Sequence, residues 1–589
     1  MKKLLDLLSE GFEKAFVECG YEEKYGKVTI SNRPDLCEFQ CNGAMAAAKA
    51  YKKAPFVIAG EVVEKMQGND AFEEITAVNP GFINLKVSKS FIASFVKDMS
   101  LDELLGCELN ENPKTIVVDY GGPNVAKPLH VGHLRPAIIG ETLKRLYRFK
   151  GDNVIGDVHL GDWGMPIGLI IEELRTRKPE LVYFAEGFTE DMTETEAPFT
   201  IAELEEIYPT ASAKSKEDEE FRNRAEQNTF ELQNGNVAYR ALWKHILNVS
   251  VTDLKENYKK LNVEFDLWKG ESDAYEFVDE MVEKMIADGF AYESQGAMVV
   301  DVSEEGDTKE IPPCIVKKSN GASLYSTTDL ATLVQRERDY HPDEVVYVVD
   351  KRQDMHFTQV FRTAKKTGIV PESTKLTYRG FGTMNGKDGK PFKTRDGGVM
   401  RLENLIGNIC DAVYEKIKEG REVSDDEARK TSQIVGLAAL KYGDLSNQAS
   451  KDYIFDIDRF ASFEGNTGPY ILYTIVRIKS ILNKFYDSKM DVATQDMNKD
   501  AGEAEKALML EVAKFNAVID NAYEESAPHK LCAYIYDLSN AFNKFYHETS
   551  IMGEEDEIKQ SGYINLINTV KSILETSIYI LGFDAPEKM

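Results

Sequence analysis

The chain lacks the features that would place it in a membrane or outside the cell. Its 589 residues are 42% hydrophobic and 29% charged, and no apolar run approaches the roughly 18 residues that a membrane span needs. The opening leucine-rich segment is interrupted by Asp6, Glu10 and Glu13, so it lacks the uninterrupted apolar core of a secretory signal. We therefore expect a cytoplasmic protein that does not enter a membrane.

Cysteine is sparse and has no regular spacing. The 7 cysteines are odd in number, scattered along the chain and nowhere arranged as C-x-x-C. This pattern argues against a disulfide framework and against a thiolate zinc site. We expect a reducing compartment and no protein-bound zinc or other resident metal.

Basic residues are outnumbered by acidic ones, with 71 Lys and Arg against 99 Asp and Glu and a net charge of −28. Affinity for phosphates normally comes from clustered Lys and Arg, so this balance argues against a simple nucleic-acid binder. Net charge governs solubility and long-range steering, however, and a local basic groove can coexist with an acidic surface. The composition therefore weakens an RNA-binding hypothesis without excluding it.

The order of the predicted elements indicates an α/β protein of several domains, as expected for this length. Residues 1–110 combine an opening helix, an alanine-rich helix over 42–52 and a strand over 81–87. From 115 onward, predicted strands alternate with helices, which is typical of a doubly wound parallel sheet. We predict an N-terminal α/β domain over 1–110 and a Rossmann-type domain over 111–402. The predicted strands of the second domain cover 116–120, 153–158 and 345–349, and its helices cover 134–149 and 353–366.

Two further segments complete the predicted architecture. Residues 176–273 are charged, mostly helical and too long for a loop, so we predict a helical insertion, with a solvated spacer as the alternative. Beyond about 402 strand signals largely vanish, and apolar residues over 531–546 follow one helical face. We predict an all-α domain over 403–589.

The segment VVDYGGPNVAKPLHVGHLRPAIIG joins a buried strand to a helix through a loop rich in Gly and Pro. His130, Gly132 and His133 lie where that helix begins. Free backbone N–H groups and the positive end of the helix dipole attract an anion there, and imidazoles can donate hydrogen bonds to phosphate oxygens. The carboxyl end of a strand in a doubly wound sheet is also where ligands are expected. The segment predicts a nucleotide site.

Alone, the motif H-x-G-H can occur by chance, and two histidines at a helix start are often caps or surface residues. Asn124, Lys127 and Arg135 extend it to N-x-x-K-x-x-H-x-G-H-x-R, a long pattern in the required strand, loop and helix setting. A zinc site is disfavoured because no Glu-x-x-His or Cys cluster supplies the further ligands.

With these residues the sequence closely resembles class I aminoacyl-tRNA synthetases, and among them the arginyl-tRNA synthetases, nearly from end to end. The resemblance implies that His130 and His133 hold ATP and stabilise the pentacoordinate α-phosphate, with Gly132 allowing its close approach. It also implies ATP with Mg²⁺ as the substrate complex and an activation step that requires bound tRNA. Further matching motifs are His159-Leu-Gly-Asp-Trp-Gly164, Tyr325-Ser-Thr-Thr-Asp329-Leu-Ala, Arg352-Gln-Asp-Met-His-Phe-Thr-Gln359 and Gly465-Asn-Thr-Gly-Pro-Tyr470.

A second phosphate-binding element is expected on a nucleotide-binding loop over about 380–398. Its segment Lys390-Pro-Phe-Lys393-Thr resembles, with Met and Ser replaced, the K-M-S-K-S loop of class I synthetases. Lysines there would neutralise charge on the leaving pyrophosphate. We predict ATP contacts from Lys390 and a catalytic role for Lys393, which Lys127 shares; the alternative is a flexible basic turn.

Arginine recognition needs carboxylates that face a planar guanidinium with five donors. The resemblance implies Asp329 as its main partner and Tyr325 as a stacking or hydrogen-bonding neighbour. It assigns Asn124 and Gln353 to the polar groups of the amino acid and Asp119 to its α-amino end. A helix cap at Asp329 and a structural carboxylate at Asp119 are the alternatives.

The outer domains resemble the tRNA-binding domains of the family. The N-terminal domain resembles the additional domain that touches the outer corner of tRNA, where Phe82 and Asn84 are weaker candidates, Phe82 being also a candidate for the core. The C-terminal domain resembles the anticodon-binding domain, in which aromatic residues stack on unpaired bases. An aromatic stripe that only forms the core is the alternative. The predicted tRNA contacts are Tyr470, Tyr473, Arg477, Tyr546 and Met589.

The resemblance therefore implies an arginine–tRNA ligase that works as a monomer on arginine, ATP and tRNA(Arg). One alternative is another H-x-G-H enzyme such as the cysteine-specific synthetase, whose expected zinc ligands are absent. The other is an RNA-binding or regulatory relative without activity, which the intact histidines, Lys393 and Asp329 disfavour.

Overall fold

The protein was described from a computed structural model that covers residues 1–318, 324–392, 400–420, 423–488 and 491–589. The chain divides into two compact units. The first consists of Met1–Leu109, Ser462–Tyr579 and Asp584–Met589, and the second of Asn110–Ala461 and Ile580–Phe583. Residues 403–461, which we predicted as the start of the helical C-terminal domain, therefore lie in the second unit. In the described ranges no helix is long and apolar enough to cross a membrane.

The elements are numbered here in chain order. Up to residue 318 they are α1 (Leu4–Glu18), β1 (Val28–Ile30), β2 (Phe39–Cys41), α2 (Gly43–Tyr51), α3 (Pro55–Met66), β3 (Phe72–Val78), β4 (Phe82–Val87), α4 (Lys89–Leu101), β5 (Thr115–Asp119), α5 (Leu134–Phe149), β6 (Asn153–Asp157), α6 (Met165–Arg177), α7 (Ile201–Glu217), α8 (Glu219–Gln233), α9 (Val237–Lys260), α10 (Glu271–Ala274), α11 (Val278–Ala287), β7 (Ala291–Ser294), β8 (Ala297–Val300) and β9 (Cys314–Lys317). From residue 324 they are α12 (Tyr325–Tyr340), β10 (Glu344–Asp350), α13 (Asp354–Lys366), β11 (Lys375–Phe381), β12 (Met384–Asn385), α14 (Leu402–Gly420), α15 (Asp425–Leu445), β13 (Tyr453–Ile454), α16 (Ile457–Phe460), α17 (Gly468–Ser488), α18 (Glu503–Val512), α19 (Phe515–Glu525), α20 (Pro528–Glu548) and α21 (Glu557–Leu581).

The first unit joins the two ends of the chain. Its N-terminal part is an antiparallel sheet of order β1-β2-β4-β3 with helices packed against it, and its C-terminal part is helical, as predicted. Helix α18 contacts α4, and the buried Lys506 ammonium lies 2.7 Å from the Glu38 carboxylate. The α/β and helical parts are thus packed together within one unit.

The centre of the second unit is a parallel sheet of order β11-β10-β5-β6. The chain leaves β5 toward β6 on one side and later returns to place β10 on the other side of β5. Val117, Val345 and Tyr347 share one buried cluster with residues of α12 and α13, such as Leu330 and Phe357. Helix α5 contacts β5, β6 and β10, and because side chains alternate along a strand, the neighbouring residues face the other side. The predicted doubly wound sheet is confirmed.

The segment between β6 and β10 contains helices α7 to α9, which pack against α6. Leu169, Ala211, Phe221 and Ala225 form a buried cluster there. A Cβ added at Gly168 would lie 2.1 Å from the backbone oxygen of Ala225, so helices α6 and α8 approach too closely for a larger residue. The inserted helices therefore form a packed body with α6.

A buried arginine joins the carboxyl ends of the central strands. Asp119 and Asp157 are partners in the register of β5 and β6, so two carboxylates lie side by side inside the protein. Arg336 of α12 donates from Nη2 to both, at 2.6 and 2.8 Å, and its guanidinium lies 5.4 Å from the centre of the Tyr347 ring in β10. We call Arg336, Asp119 and Asp157 the switch-point triad, because it lies where the sheet changes direction.

The first prediction concerns this triad. Replacing Arg336 with methionine leaves two buried carboxylates without their cation, so we expect the free energy of unfolding to fall by about 3 to 5 kcal/mol. The measurement is the shift of the urea midpoint followed by circular dichroism. Arg338→Met is the matched control, since that guanidinium is exposed beside Asp339, and an equal shift in both variants would contradict the assigned role.

Candidate active site

The described residues of the predicted ATP and arginine sites lie on segments that meet where the sheet changes direction. Strand β5 ends at Asp119 and runs into the loop that carries the two histidines, while β10 ends at Asp350 and runs into the turn Lys351–Gln353. The two strands are parallel neighbours, so both ends open on the same edge of the sheet. Ligands of open α/β sheets bind in the crevice between such strand ends.

The loop after β5 is paired with the loop after β6. The N–H of Val125 donates to the carbonyl of Gly161 at 3.1 Å, and the N–H of Gly161 donates to that of Pro123 at 3.1 Å. A Cβ at Gly161 would lie 2.1 Å from Oδ1 of Asn124, so a larger residue at 161 would displace the Asn124 side chain. The half-buried Asn124 is thereby held at the floor of the crevice.

The two histidines are oriented by the backbone at the start of α5. His130 Nδ1 accepts the N–H of Gly132 at 3.0 Å, and His133 Nδ1 accepts the N–H of His130 at 3.1 Å. Their ring centroids are 4.0 Å apart. Since each Nδ1 is an acceptor, each neutral ring carries its proton on Nε2.

Burial also keeps these rings neutral. It lowers the pKa of His133 to about 3, with the nearby His130 acting in the same direction, and it lowers the pKa of His130 as well. Neutral rings with fixed tautomers present Nε2–H groups as hydrogen-bond donors throughout the physiological range of pH. The motif therefore forms a pair of donors that suits phosphate oxygens.

Arg135, the last residue of the motif, is part of the interior. Its Nη1 donates to the carbonyls of Gly382 and Lys451 at 2.6 and 3.1 Å, and its Nε donates to Asp444 at 3.0 Å. Its guanidinium also lies 5.1 Å from the centre of the Tyr453 ring. Arg135 thus ties the helix of the histidines to the start of the predicted nucleotide-binding loop.

The far end of that loop returns to the same place. The N–H of Val131 donates to the carbonyl of Met400 at 3.0 Å, and the N–H of Leu402 donates to that of Leu129 at 2.9 Å. Both ends of the loop are therefore anchored beside the histidines, although no sequence pattern predicts this pairing.

The predicted lysines have different surroundings. Lys393 lies outside the described residues. Lys390 is exposed in a tight turn, where its carbonyl accepts the N–H of Gly386 at 2.8 Å. Lys127 lies on the histidine loop with its ammonium 4.3 Å from the centre of the Tyr208 ring, so the inserted helix α7 contributes to the crevice.

Helix α12 presents the predicted guanidinium partners. Tyr325 is its first residue and is 68% exposed, and Asp329 lies one turn later. The Asp329 carboxylate accepts a hydrogen bond from Nε2 of His356 at 2.5 Å. Gln353 is exposed in the turn before α13. These residues come from segments that follow different strands, and the fold brings them to one edge of the sheet.

Asp119 is also at this edge, but its carboxylate belongs to the switch-point triad. The bond to Arg336 provides the structural role that we considered for a carboxylate at a strand end. Its contact with the α-amino group of a ligand remains a prediction.

Sequence reasoning missed two carboxylates that lie close by. The buried Asp162 accepts bonds from the N–H and the hydroxyl of Ser272 at 3.0 and 2.6 Å, which holds the start of α10 and its first residue, Glu271. Burial raises the pKa of Asp162 to about 6 and that of Glu271 to about 7. The interaction with His159 lowers the pKa of Glu271, and the interaction with Asp329 raises it. Asp162 and Ser272 are separated by the whole insertion, so no local pattern reveals their pairing.

Four of the five predicted tRNA contacts form one surface on the first unit. The Arg477 guanidinium of α17 lies 4.7 Å from the ring centre of Tyr473 and 5.1 Å from that of Tyr546 of α20. Asn543 Nδ2 donates to the Tyr470 hydroxyl at 2.9 Å. Tyr473 and Tyr546 are 39% and 37% exposed, so they lie at the surface and are not part of the helical core.

Met589 is half-buried at the end of the chain. The nearby Glu587 carboxylate lies 3.1 Å from the ammonium of Lys479, which is on α17 beyond Arg477. The closing segment is thus tied to the helix that carries three of the other tRNA candidates.

Three family models match the chain in sequence order. The model for the class I (R) tRNA synthetase catalytic domain matches residues 96–457, the arginyl-tRNA synthetase N-terminal domain matches 2–87, and the DALR anticodon-binding domain matches 471–589. The chain belongs to the arginyl-tRNA synthetase family. The resemblance seen in the sequence is confirmed over all three regions.

Relatives support the same assignment over full length. The chain is 63% identical to an arginine–tRNA ligase of Agathobacter rectalis and 55% identical to one of Alkaliphilus oremlandii, with all of each chain covered. It matches the crystal structure of arginyl-tRNA synthetase from Plasmodium falciparum with a TM-score of 0.81 at 26% identity, covering both chains entirely. The Thermus thermophilus arginyl-tRNA synthetase, at 21% identity and a TM-score of 0.77, shares the fold.

The second prediction follows from Glu271. Because its pKa is raised to about 7, the carboxyl loses its negative charge as the pH falls from 8 to 6, and a cationic amino acid beside Asp329 should bind more weakly. We expect the KM for arginine to rise over this range. In Glu271→Gln it should be higher at pH 8 and should rise less as the pH falls. The neighbouring Asp162 and His159 remain in both proteins, so equal pH dependence of both would contradict the role of Glu271.

Proposed function

We infer that this protein is an arginine–tRNA ligase. It activates arginine with ATP to give arginyl-adenylate and pyrophosphate, and it transfers the arginyl group to the 3′-terminal ribose of tRNA(Arg). The observation that carries this conclusion is the full-length family match combined with neutral histidine donors and an acidic wall at one edge of the sheet.

The histidine loop is proposed to hold ATP. The Nε2–H groups of His130 and His133 and the positive end of the α5 dipole face the triphosphate, and Gly132 lets an oxygen approach the backbone. As a carboxylate oxygen of arginine attacks the α-phosphorus, these donors stabilise the charge of the pentacoordinate state. ATP enters as its Mg²⁺ complex.

The lysines are proposed to act on the leaving pyrophosphate. The ends of the loop that carries Lys390 and Lys393 are anchored beside the histidines, which supports the proposal that these lysines contact the β- and γ-phosphates. Lys127 shares this work from the histidine loop. With the substrates positioned in this way, no protein nucleophile is needed.

The opposite wall is proposed to bind arginine. Asp329 pairs with the guanidinium, and the exposed ring of Tyr325 stacks on it or accepts its hydrogen bond. Asn124 and Gln353 contact the polar groups of the amino acid, and Asp119 provides negative charge at its α-amino end. The carboxylate wall thus selects a cationic side chain and the histidine loop binds the polyanionic cosubstrate.

The Tyr470, Tyr473, Arg477 and Tyr546 surface is proposed to bind unstacked anticodon bases, with Met589 at its edge. Exposed aromatic rings and a guanidinium offer planar partners for bases and a cation for the phosphates. We further propose, from the family resemblance, that the enzyme acts as a monomer in the cytoplasm.

The decisive assay is arginine-dependent exchange of pyrophosphate into ATP, measured with and without tRNA(Arg). We expect exchange with arginine in the presence of tRNA and none with cysteine. Absence of exchange with arginine and cognate tRNA would refute the activity and favour the alternative of an RNA-binding relative without catalysis.

A third prediction tests the histidine donors. In His133→Asn the amide oxygen can replace Nδ1 as acceptor for the His130 N–H, but the Nε2–H donor is lost, so we expect the exchange rate to fall roughly 100-fold or more. In His133→Gln the amide nitrogen reaches the position of Nε2 and should retain more activity. Equal losses in the two variants would argue against phosphate contact through Nε2.

A fourth prediction tests the tRNA surface. Arg477→Ala removes the guanidinium between two exposed rings, and we expect the KM for tRNA(Arg) in aminoacylation to rise roughly 10-fold. Lys484→Ala removes one cation from an exposed position farther along α17 and should change this KM little. A similar rise in both would indicate a nonspecific charge effect.

A further inference from the structure

A histidine with no assigned role contacts the carboxylate that is proposed to recognise arginine. His356 lies in the first turn of α13 and Asp329 in the second turn of α12, so the bond between them crosses from one helix to the other. The Nε2 to Oδ2 distance is 2.5 Å. An ionised carboxylate only accepts hydrogen bonds, so His356 donates its Nε2–H.

The histidine is held in place by its own helix. The next residue, Phe357, is buried, with its ring centre 4.9 Å from that of Tyr347 in β10 and 5.8 Å from that of Tyr378 in β11. The first turn of α13 is therefore anchored on the sheet. The imidazole is fixed as a donor before any ligand arrives, and it is 28% exposed at the rim of the crevice.

Without a hydrogen-bond donor beside it, the Asp329 carboxylate would not have a fixed orientation. The Asp329 side chain is 20% exposed and borders the open crevice, where it could rotate about two bonds. A guanidinium forms two parallel hydrogen bonds only when the carboxylate is coplanar with it. The His356 bond to Oδ2 restrains that plane, and because each carboxylate oxygen has two lone pairs, both oxygens can still accept hydrogen bonds from a ligand.

His356 also links two proposed contacts with arginine. It follows Gln353 by one helical turn, and Gln353 lies in the turn between β10 and α13. A shift of His356 would therefore move Asp329, the proposed partner of the arginine guanidinium. It would also move Gln353, a proposed partner of the other polar groups of arginine.

We propose that His356 is a positioning residue that orients the Asp329 carboxylate for recognition of the arginine guanidinium. The proposal rests on the proposed role of Asp329. Loss of the His356 imidazole should weaken arginine binding. ATP binding should stay unchanged, since the histidine loop that is proposed to hold ATP follows a different strand. Groups that orient a ligating side chain typically contribute roughly 10-fold to 100-fold.

The test compares two amides at position 356 in the full-length enzyme with tRNA(Arg) present. In His356→Gln the amide nitrogen can reach the position of Nε2, whereas in His356→Asn it is too short. We expect the KM for arginine to rise roughly 10-fold or more in His356→Asn, with kcat and the KM for ATP changed less than 3-fold, and to return toward the native value in His356→Gln. His341→Asn, at an exposed histidine that ends α12, is the matched control.

A double-mutant cycle with Asp329→Asn separates this proposal from the proposal that Asp329 binds the arginine guanidinium. If His356 acts through Asp329, the double variant should bind arginine no worse than Asp329→Asn alone. A normal KM for arginine in His356→Asn, or multiplicative effects in the double variant, would overturn the positioning role even when Asp329→Asn is impaired. A normal KM in Asp329→Asn would instead refute the proposed arginine site itself.

Discussion

The arrangement of the active site depends on one buried electrostatic constraint. Strands β5 and β6 end with Asp119 and Asp157 in register, and two adjacent carboxylates in the interior require a cation. Arg336 provides it, and this contact fixes the position of helix α12 along the strand ends. Asp329 lies seven residues earlier, about two helical turns away. The triad thereby sets where the proposed guanidinium partner faces the loop that carries the histidines.

A second buried cation plays the equivalent part for the nucleotide side. Arg135 belongs to the histidine motif, but its side chain points into the interior. There its guanidinium joins Gly382, at the start of the lysine loop, to Asp444 of α15. The residues proposed to contact ATP and those that anchor the lysine loop are thus parts of one packed structure. The sheet edge consequently has two electrostatic environments, the neutral histidine donors that are proposed to bind phosphate and the carboxylates that are proposed to bind a cationic amino acid.

Much of the architecture could be predicted because it follows from local periodicity. The helix predicted over 134–149 has those bounds, and the strands around 116–120 and 345–349 differ from the structure by one residue at their ends. The histidine motif and four clustered tRNA candidates were also found from sequence. The roles of Asp162 with Ser272, of Glu271 and of His356 were not predicted, because they arise between segments far apart in the chain. The joining of 1–109 with the C-terminal helices in one unit likewise leaves no local signature.

The sequence by itself determined the alternation of strands and helices, the histidine motif at a helix start and the family to which the chain belongs, since hydrophobic period and motif spacing are properties of neighbouring residues. Only the tertiary structure decided which charges meet. It bound Asp119 to Arg336, turned Arg135 inward and placed His356 on Asp329. The physical reason is that the energy of a buried charge depends on its partners in space, and the chain brings those partners together only when the sheet is assembled.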